Sequence, residues 1–240
     1  MFIVAMVLTA VLTFLWFMPL YRKAAGPDRV GKKPLITAFL LGFFVDFIVA
    51  LIFQSLLGLL YRYAGIVDGS LAKHYLTAFI SYALIEESVK FFTALIVLKM
   101  FKIRGAKNYI LVFGMVGMGY EIVESLLYVA SAGILGTFFR SVFALHVFCQ
   151  IWMGIFVYHA HKCKELSDNS GAKRNMAIAF CVPFLIHGIH DACSIAFSLG
   201  EGHGNTGVAI MVCVLLACLA MDAVFAIITF RKALKEIKET

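Results

Sequence analysis

Residues 75–98 read YLTAFISYALIEESVKFFTALIVL. The run has no Gly or Pro and is almost wholly apolar. It is long enough to cross a bilayer, which takes about 20 residues of helix. Yet Glu86, Glu87 and Lys90 stand in its middle. A hydrocarbon-length helix with charge at its centre decides the fold class and also points to function.

The rest of the chain agrees. Of 240 residues, 62% are apolar and 15% are charged. A soluble domain is about 45–50% apolar and about 25% charged, and a core of this size cannot hide the excess. Lipid must be the solvent for most of the chain. That excludes a cytosolic enzyme, a nucleic-acid-binding domain and a disordered chain. The same ruler predicts seven spans at about 2–20, 35–60, 75–98, 109–131, 138–160, 176–199 and 208–230. The expected fold is therefore an all-α polytopic membrane protein. Residues 1–240 form a single transmembrane helical domain, with no length left for a soluble one.

The net charge of +7 reads as topology. Seventeen of the 21 Lys and Arg fall in loops one, three and five and in the tail. The positive-inside rule then predicts the N-terminus outside and the C-terminus in the cytoplasm. Span one lacks a basic leading region and a clear cleavage site, so it is expected to be a retained anchor. The six cysteines form no CxxC pair, so no disulfide framework or zinc knuckle is indicated. Gly114-Met115-Val116-Gly117-Met118-Gly119 lies mid-span with no strand before it, and is not a nucleotide loop. Its small residues suit close helix contact.

Eight Asp, Glu or Lys residues lie inside spans: Asp46, Glu86, Glu87, Lys90, Glu121, Glu124, Asp191 and Asp222. Taken separately they would cost about 20–28 kcal/mol on the insertion scale. They must pair, become neutral or line a wet cavity. His146, His187 and His190 join them, and nine of these eleven residues fall on spans three to six. Glu86 and Lys90 share a face, as do His187 and Asp191, each pair being i,i+4. Gly117, Glu121, Glu124 and Tyr128 form one stripe, and His146, Gln150 and Gly154 another. Counted from the outer ends, Glu86 and His187 lie roughly 16 Å deep, and Glu124, His146 and Asp191 roughly 10 Å deep. One polar site within helices three to six is the expectation.

Carboxylates with imidazoles, and no nucleophile in a recognisable setting, suit activation of water. A Glu in an apolar surround is an effective general base, and a His can orient water or hold an oxyanion. The same groups are zinc ligands, although no HExxH is present. A proton- or ion-coupled transporter is the alternative reading of buried carboxylates. A retinal-type receptor needs a Lys in its last span, and 208–230 has none.

Four motifs then resemble one family. Glu86-Glu87-Ser88-Val89-Lys90 is similar to the EExxK motif of the PrsW intramembrane proteases. Gly119-Tyr120 through Glu124, Ser125 and Tyr128 resembles that family's G-[FY]-x-x-x-E-N-x-x-Y stretch. Arg140, His146 and Gly154 resemble its R-x5-H-x7-G helix, and His187-Gly188-Ile189-His190-Asp191 its H-G-x-x-[ND] motif. The four stand in the family's order within a motif-bearing core of about 75–199. The wider relatives are the CAAX protease and bacteriocin-processing (CPBP) proteins.

The resemblance implies an intramembrane endopeptidase of glutamate- or metal-dependent type. Its substrate would be a single-span membrane protein, such as an anti-sigma factor cut on the outer side of a bacterial cytoplasmic membrane. By the same likeness Glu86 or Glu87 is the base, His146 positions the water, and His187 with Asp191 binds the oxyanion or a metal. Lys90 and Glu124 support them. A divalent ion, zinc being the first candidate, would fall to Glu124, His146, His187 and Asp191. Ser125 departs from the family's Asn, and Asp191 from the Asn of the CAAX enzymes. His190 and Glu121 are expected to be packing residues, and Asp46 and Asp222 to make structural contacts. His159 and His161 are expected at the cytoplasmic interface, and His74 and His203 in solvent.

Overall fold

A long apolar segment in lipid satisfies its backbone internally by becoming a helix, and the chain does so throughout. The computed structural model describes the backbone of residues 2–67, 70–199 and 204–239, and the side chains of 3–4, 7–67, 70–127, 142–195 and 212–239. Tyr128, Arg140 and His203 lie outside the described side chains. The described residues are all helix and short turns, with no strand.

We number the continuous helices α1 (Phe2–Lys23), α2 (Lys32–Tyr63), α3 (71–100), α4 (Ala106–Ser141), α5 (Leu145–Glu165), α6 (Asn169–Leu199) and α7 (Gly204–Glu239). Four of them, α2, α4, α6 and α7, contain stretches long and apolar enough to cross a membrane. α3 is apolar too. However, every 18-residue stretch of it holds at least three of Lys73, Glu86, Glu87, Lys90 and Lys99. The residues of the site are what lower its hydropathy.

α4 is the axis. In its apolar stretch 78% of residues are buried, against 28–33% in α2, α6 and α7. The outer helices turn residues such as Ile48, Phe53, Leu56 and Leu216 outward, as lipid solvent permits. α4 packs on α1, α2, α3, α5 and α7, while α6 packs on α3, α5 and α7. Close approach needs small residues. A Cβ on Gly119 would stand 2.3 Å from the Phe39 carbonyl oxygen, so α2 and α4 meet backbone to backbone there.

Both α2 and α3 contain a wider π-helical turn, at Leu41–Asp46 and Leu76–Leu84. Such turns shift the phase of the residues that follow and recur at functional sites. The second ends one residue before Ile85-Glu86-Glu87.

The connection between α4 and α5 differs from expectation. The sequence suggested a break over 132–137, where Gly133 and Gly136 fall. The helix instead runs through Ser141 and turns at 142–144. Gly inside a helix costs only about 1 kcal/mol, which packing can offset. Arg140 therefore ends α4, and His146 lies in the first turn of α5 rather than two turns into it. Ala144, fully buried, adopts a left-handed conformation with φ 44° just before α5. Trp16 of α1 donates to the Val142 carbonyl at 2.7 Å and pins this turn.

Candidate active site

Four helices bring their polar residues to one place. From α3, Glu87 is wholly buried and both its oxygens are bonded. Oε1 accepts from Lys90 Nζ at 2.7 Å and lies 2.9 Å from His187 Nδ1. Oε2 accepts from Gln150 Nε2 at 3.1 Å. Lys90 also lies 2.7 Å from His146 Nδ1 and 4.4 Å from the centre of the Tyr120 ring. The ammonium thus has a carboxylate, an imidazole lone pair and an aromatic face around it, which a buried cation requires.

Glu86 differs from its neighbour. Oε1 accepts from Gln54 of α2 at 2.9 Å, whereas Oε2 is buried with no hydrogen-bond partner. That oxygen lies 3.8 Å from His187 Nε2. His187 Nε2 is also 3.1 Å from Asp191 Oδ2. The rings of His146 and His187 meet edge to face at 4.8 Å. On its far side His146 Nε2 bonds Glu124.

Both imidazoles are therefore gripped at Nδ1, by Lys90 and by Glu87, and turn Nε2 towards carboxylates. A His held in this way at one nitrogen has its tautomer and ring plane fixed. Lys90 can only donate, so His146 accepts at Nδ1 and carries its hydrogen on Nε2. Glu87 can only accept when ionised, so His187 donates from Nδ1.

The carboxylates open on a cavity of about 340 Å³ lined by Gln54, Tyr82, Glu86, Tyr120, Glu124 and Asp191. Its apolar rim includes Leu51 of α2 and Leu127 of α4, 41% and 51% exposed. It is an acid-lined recess with an apolar edge.

Glu121 turns away from the recess. Its carboxylate accepts from the His146 backbone N–H at 3.1 Å, capping the exposed donors that begin α5. It is structural, as expected, and it fixes where α5 starts. α4 and α5 nearly touch beside it, since a Cβ on Gly117 would lie 2.5 Å from the His146 carbonyl oxygen. Asp46 accepts from Thr93 at 2.5 Å, linking α2 to α3. His190 pairs with Asp222 at 2.7 Å.

Towards the end of α5, His159 meets Glu236 at 2.9 Å and His161 meets Tyr109 at 2.6 Å. Burial, with Lys164 nearby, holds the His161 imidazole below its usual range. His74 departs from expectation. It is half-buried and lies 3.0 Å from the Ala192 carbonyl, joining the start of α3 to α6. Gln54 and Tyr82 escaped the reading of the sequence. An amide in the hydrocarbon run 35–60 was the signal for the first.

A metal can be tested against this donor set. Glu86, His146 and His187 place one ligand atom each within 4.8 Å of one another, all buried. Imidazole nitrogen with carboxylate oxygen suits zinc, and the orphaned Glu86 Oε2 is the kind of atom an ion would satisfy. The residues fit. Glu86 joins the two imidazoles in this group, and Glu124 and Asp191 meet their Nε2 atoms and line the same recess.

A sequence profile of the family described as PrsW family intramembrane metalloprotease matches residues 31–221. The chain belongs to the PrsW family. A protein named Protease PrsW from Oceanobacillus iheyensis is 31% identical over 127 residues, 52% of this chain and 57% of that relative. The match thus spans a little over half the length of the curated relative. No solved structure matches the chain. The PrsW match encloses all of the residues around the recess, from Gln54 to Asp191.

Proposed function

We propose that this protein is an intramembrane endopeptidase that activates water in the Glu86 recess to cut a membrane-anchored polypeptide. The unpaired Glu86 oxygen, buried at the wall of a polar recess between helices, carries the reading. The single catalytic base is Glu86, and Glu87 is its scaffold.

Glu86 Oε2 takes a proton from a water in the recess, and the water oxygen attacks the scissile carbonyl carbon. The Tyr82 and Tyr120 hydroxyls, which line the recess, are the donors for the negative oxygen that develops, and His146 Nε2–H orients Glu124 beside them. The proton on Glu86 then passes to the leaving amine as the C–N bond breaks. Glu87 with Lys90 keeps both imidazoles in register while charge moves. A divalent ion would be held by Glu86, His146 and His187, with His146 giving up its Nε2 hydrogen to ligate, and would supply a Lewis acid for the carbonyl.

The substrate enters between α2 and α4, past Leu51 and Leu127, because that rim faces lipid. A single-span protein fits such a side door, with an anti-sigma factor as the first class to try. The chain sits as seven spans in a bacterial cytoplasmic membrane with its N-terminus outside, which brings the recess near the outer leaflet.

The test is cleavage of a single-span reporter by the full chain in nanodiscs, with and without chelator. Loss of cutting in Glu86→Gln supports the reading. Wild-type cutting by Glu86→Gln overturns it. Chelator sensitivity assigns the ion.

A further inference from the structure

One polar cluster faces away from the recess. His190 points from α6 to α7, where its Nδ1 lies 2.7 Å from Asp222 Oδ2 and 3.5 Å from Cys218 Sγ. One donor atom from each of the three lies within 4.8 Å of the other two, and all three residues are buried. Cys193, one turn of α6 after His190, lies outside this group and is partly exposed. Asp222 Oδ1 is buried with no hydrogen-bond partner. None of these residues lines the recess.

We propose that His190, Cys218 and Asp222 form a second site, for a zinc-type divalent ion that clamps α6 to α7. It is independent of the proposed peptidase reaction.

The spacing suits it. Cys218 and Asp222 are i,i+4 and share a face of α7, and His190 meets them from α6. The three donors fill three positions of a tetrahedron and leave the fourth to a water. With zinc–sulfur bonds near 2.3 Å and zinc–nitrogen bonds near 2.0–2.1 Å, a tetrahedron has a nitrogen-to-sulfur edge of about 3.5 Å. Cys218 and His190 already stand at that separation. The His190–Asp222 pair is at hydrogen-bond length and must open by about 0.6 Å to reach its own edge.

Charge points the same way. Binding releases the Cys218 thiol proton, and that thiolate with the Asp222 carboxylate cancels a double positive charge inside the bilayer. Without an ion, a buried carboxylate oxygen stays unsatisfied, which is costly in lipid. The consequence reaches the recess through one peptide bond. His190 precedes Asp191, which lies 3.1 Å from His187. A clamp on His190 holds that turn of α6 in place.

The experiment is Co²⁺ titration of the reduced, full-length protein in detergent, read by absorption. Thiolate-to-cobalt charge transfer reports only this site, because the donors of the recess are nitrogen and oxygen. The expected result is a saturable band at one equivalent that survives Glu86→Gln. Cys218→Ser removes it, and Cys193→Ser, outside the three-ligand group, leaves it in place. Zinc should displace the cobalt and bleach the band. Helical circular dichroism identifies any variant that fails to fold, and for such a variant His190→Gln is the substitute, with the same loss expected. The proposal is overturned by the absence of a thiolate band at excess Co²⁺, or by a band that persists in Cys218→Ser. It is equally overturned if the isolated protein carries a Cys193–Cys218 disulfide, seen as a two-hydrogen mass loss.

Discussion

Glu87 commits both carboxylate oxygens to Lys90, His187 and Gln150, whereas Glu86, one residue earlier, keeps Oε2 unpaired 3.8 Å from His187 Nε2. Consecutive residues on a helix point about 100° apart. One therefore enters the packed junction of α3, α5 and α6, and the other faces the recess. The pair divides labour by direction alone.

This division predicts two different mutant phenotypes. Glu86→Gln should remove about 10²–10⁴-fold of kcat, the usual worth of a general base, with little change in thermal stability. Glu87→Gln should lower both, because Lys90 is left as an unpaired buried charge, at about 3–5 kcal/mol. Reporter cleavage and thermal unfolding in nanodiscs separate the two. Equal stability losses would show that the carboxylates are interchangeable.

The ion pair itself can be tested by a cycle. Lys90→Met alone should destabilise by an amount similar to Glu87→Gln. The double variant should recover much of that loss, since two neutral groups no longer need each other. Additive losses would mean that Lys90 and Glu87 act separately. Activity should not return in the double variant, because His146 Nδ1 has lost its donor and His187 Nδ1 its charged acceptor.

Gly117→Ala should disturb catalysis more than folding. Its Cβ would stand 2.5 Å from the His146 carbonyl oxygen, so α5 must back away and carry His146 with it. Overpacking of this kind costs about 1–3 kcal/mol. A shift of about 1 Å at a catalytic group can cost about 10²-fold in rate. Unchanged kcat at reduced stability would show that His146 does not need its present position.

The rim predicts an effect on substrate capture. Leu127→Trp or Leu51→Trp should narrow the gap between α2 and α4. The expected result is a several-fold higher KM for a single-span substrate with kcat little changed. A short soluble peptide spanning the same cut should be less affected. Equal effects on both substrates would place the entrance elsewhere.

The helical fold, the crowding of acids and imidazoles on consecutive helices and the family were all legible in the chain. A hydrocarbon run states its solvent, and a charge inside it states an exception that needs a partner. Glu86, Glu87, Lys90, His146, His187, Glu124 and Asp191 stood out for that reason and do converge. Helix ends were less legible. Residues 132–137 read as a gap between two spans, yet α4 runs through them, because a Gly inside a helix costs only about 1 kcal/mol.

Partnership was not legible at all. Periodicity says which residues share a helix face but not which helix that face meets. Only the packed structure puts Gln54 of α2 on Glu86, Glu121 on the start of α5, and His190 with Cys218 and Asp222. It alone separates Glu86 from Glu87, which the motif leaves as a pair. The sequence by itself determined that this chain folds in lipid and that its buried charges cluster, because burial costs are local to each residue. The tertiary structure decided which charge is neutralised and which oxygen stays open, because that depends on what the neighbouring helices bring within 3–4 Å.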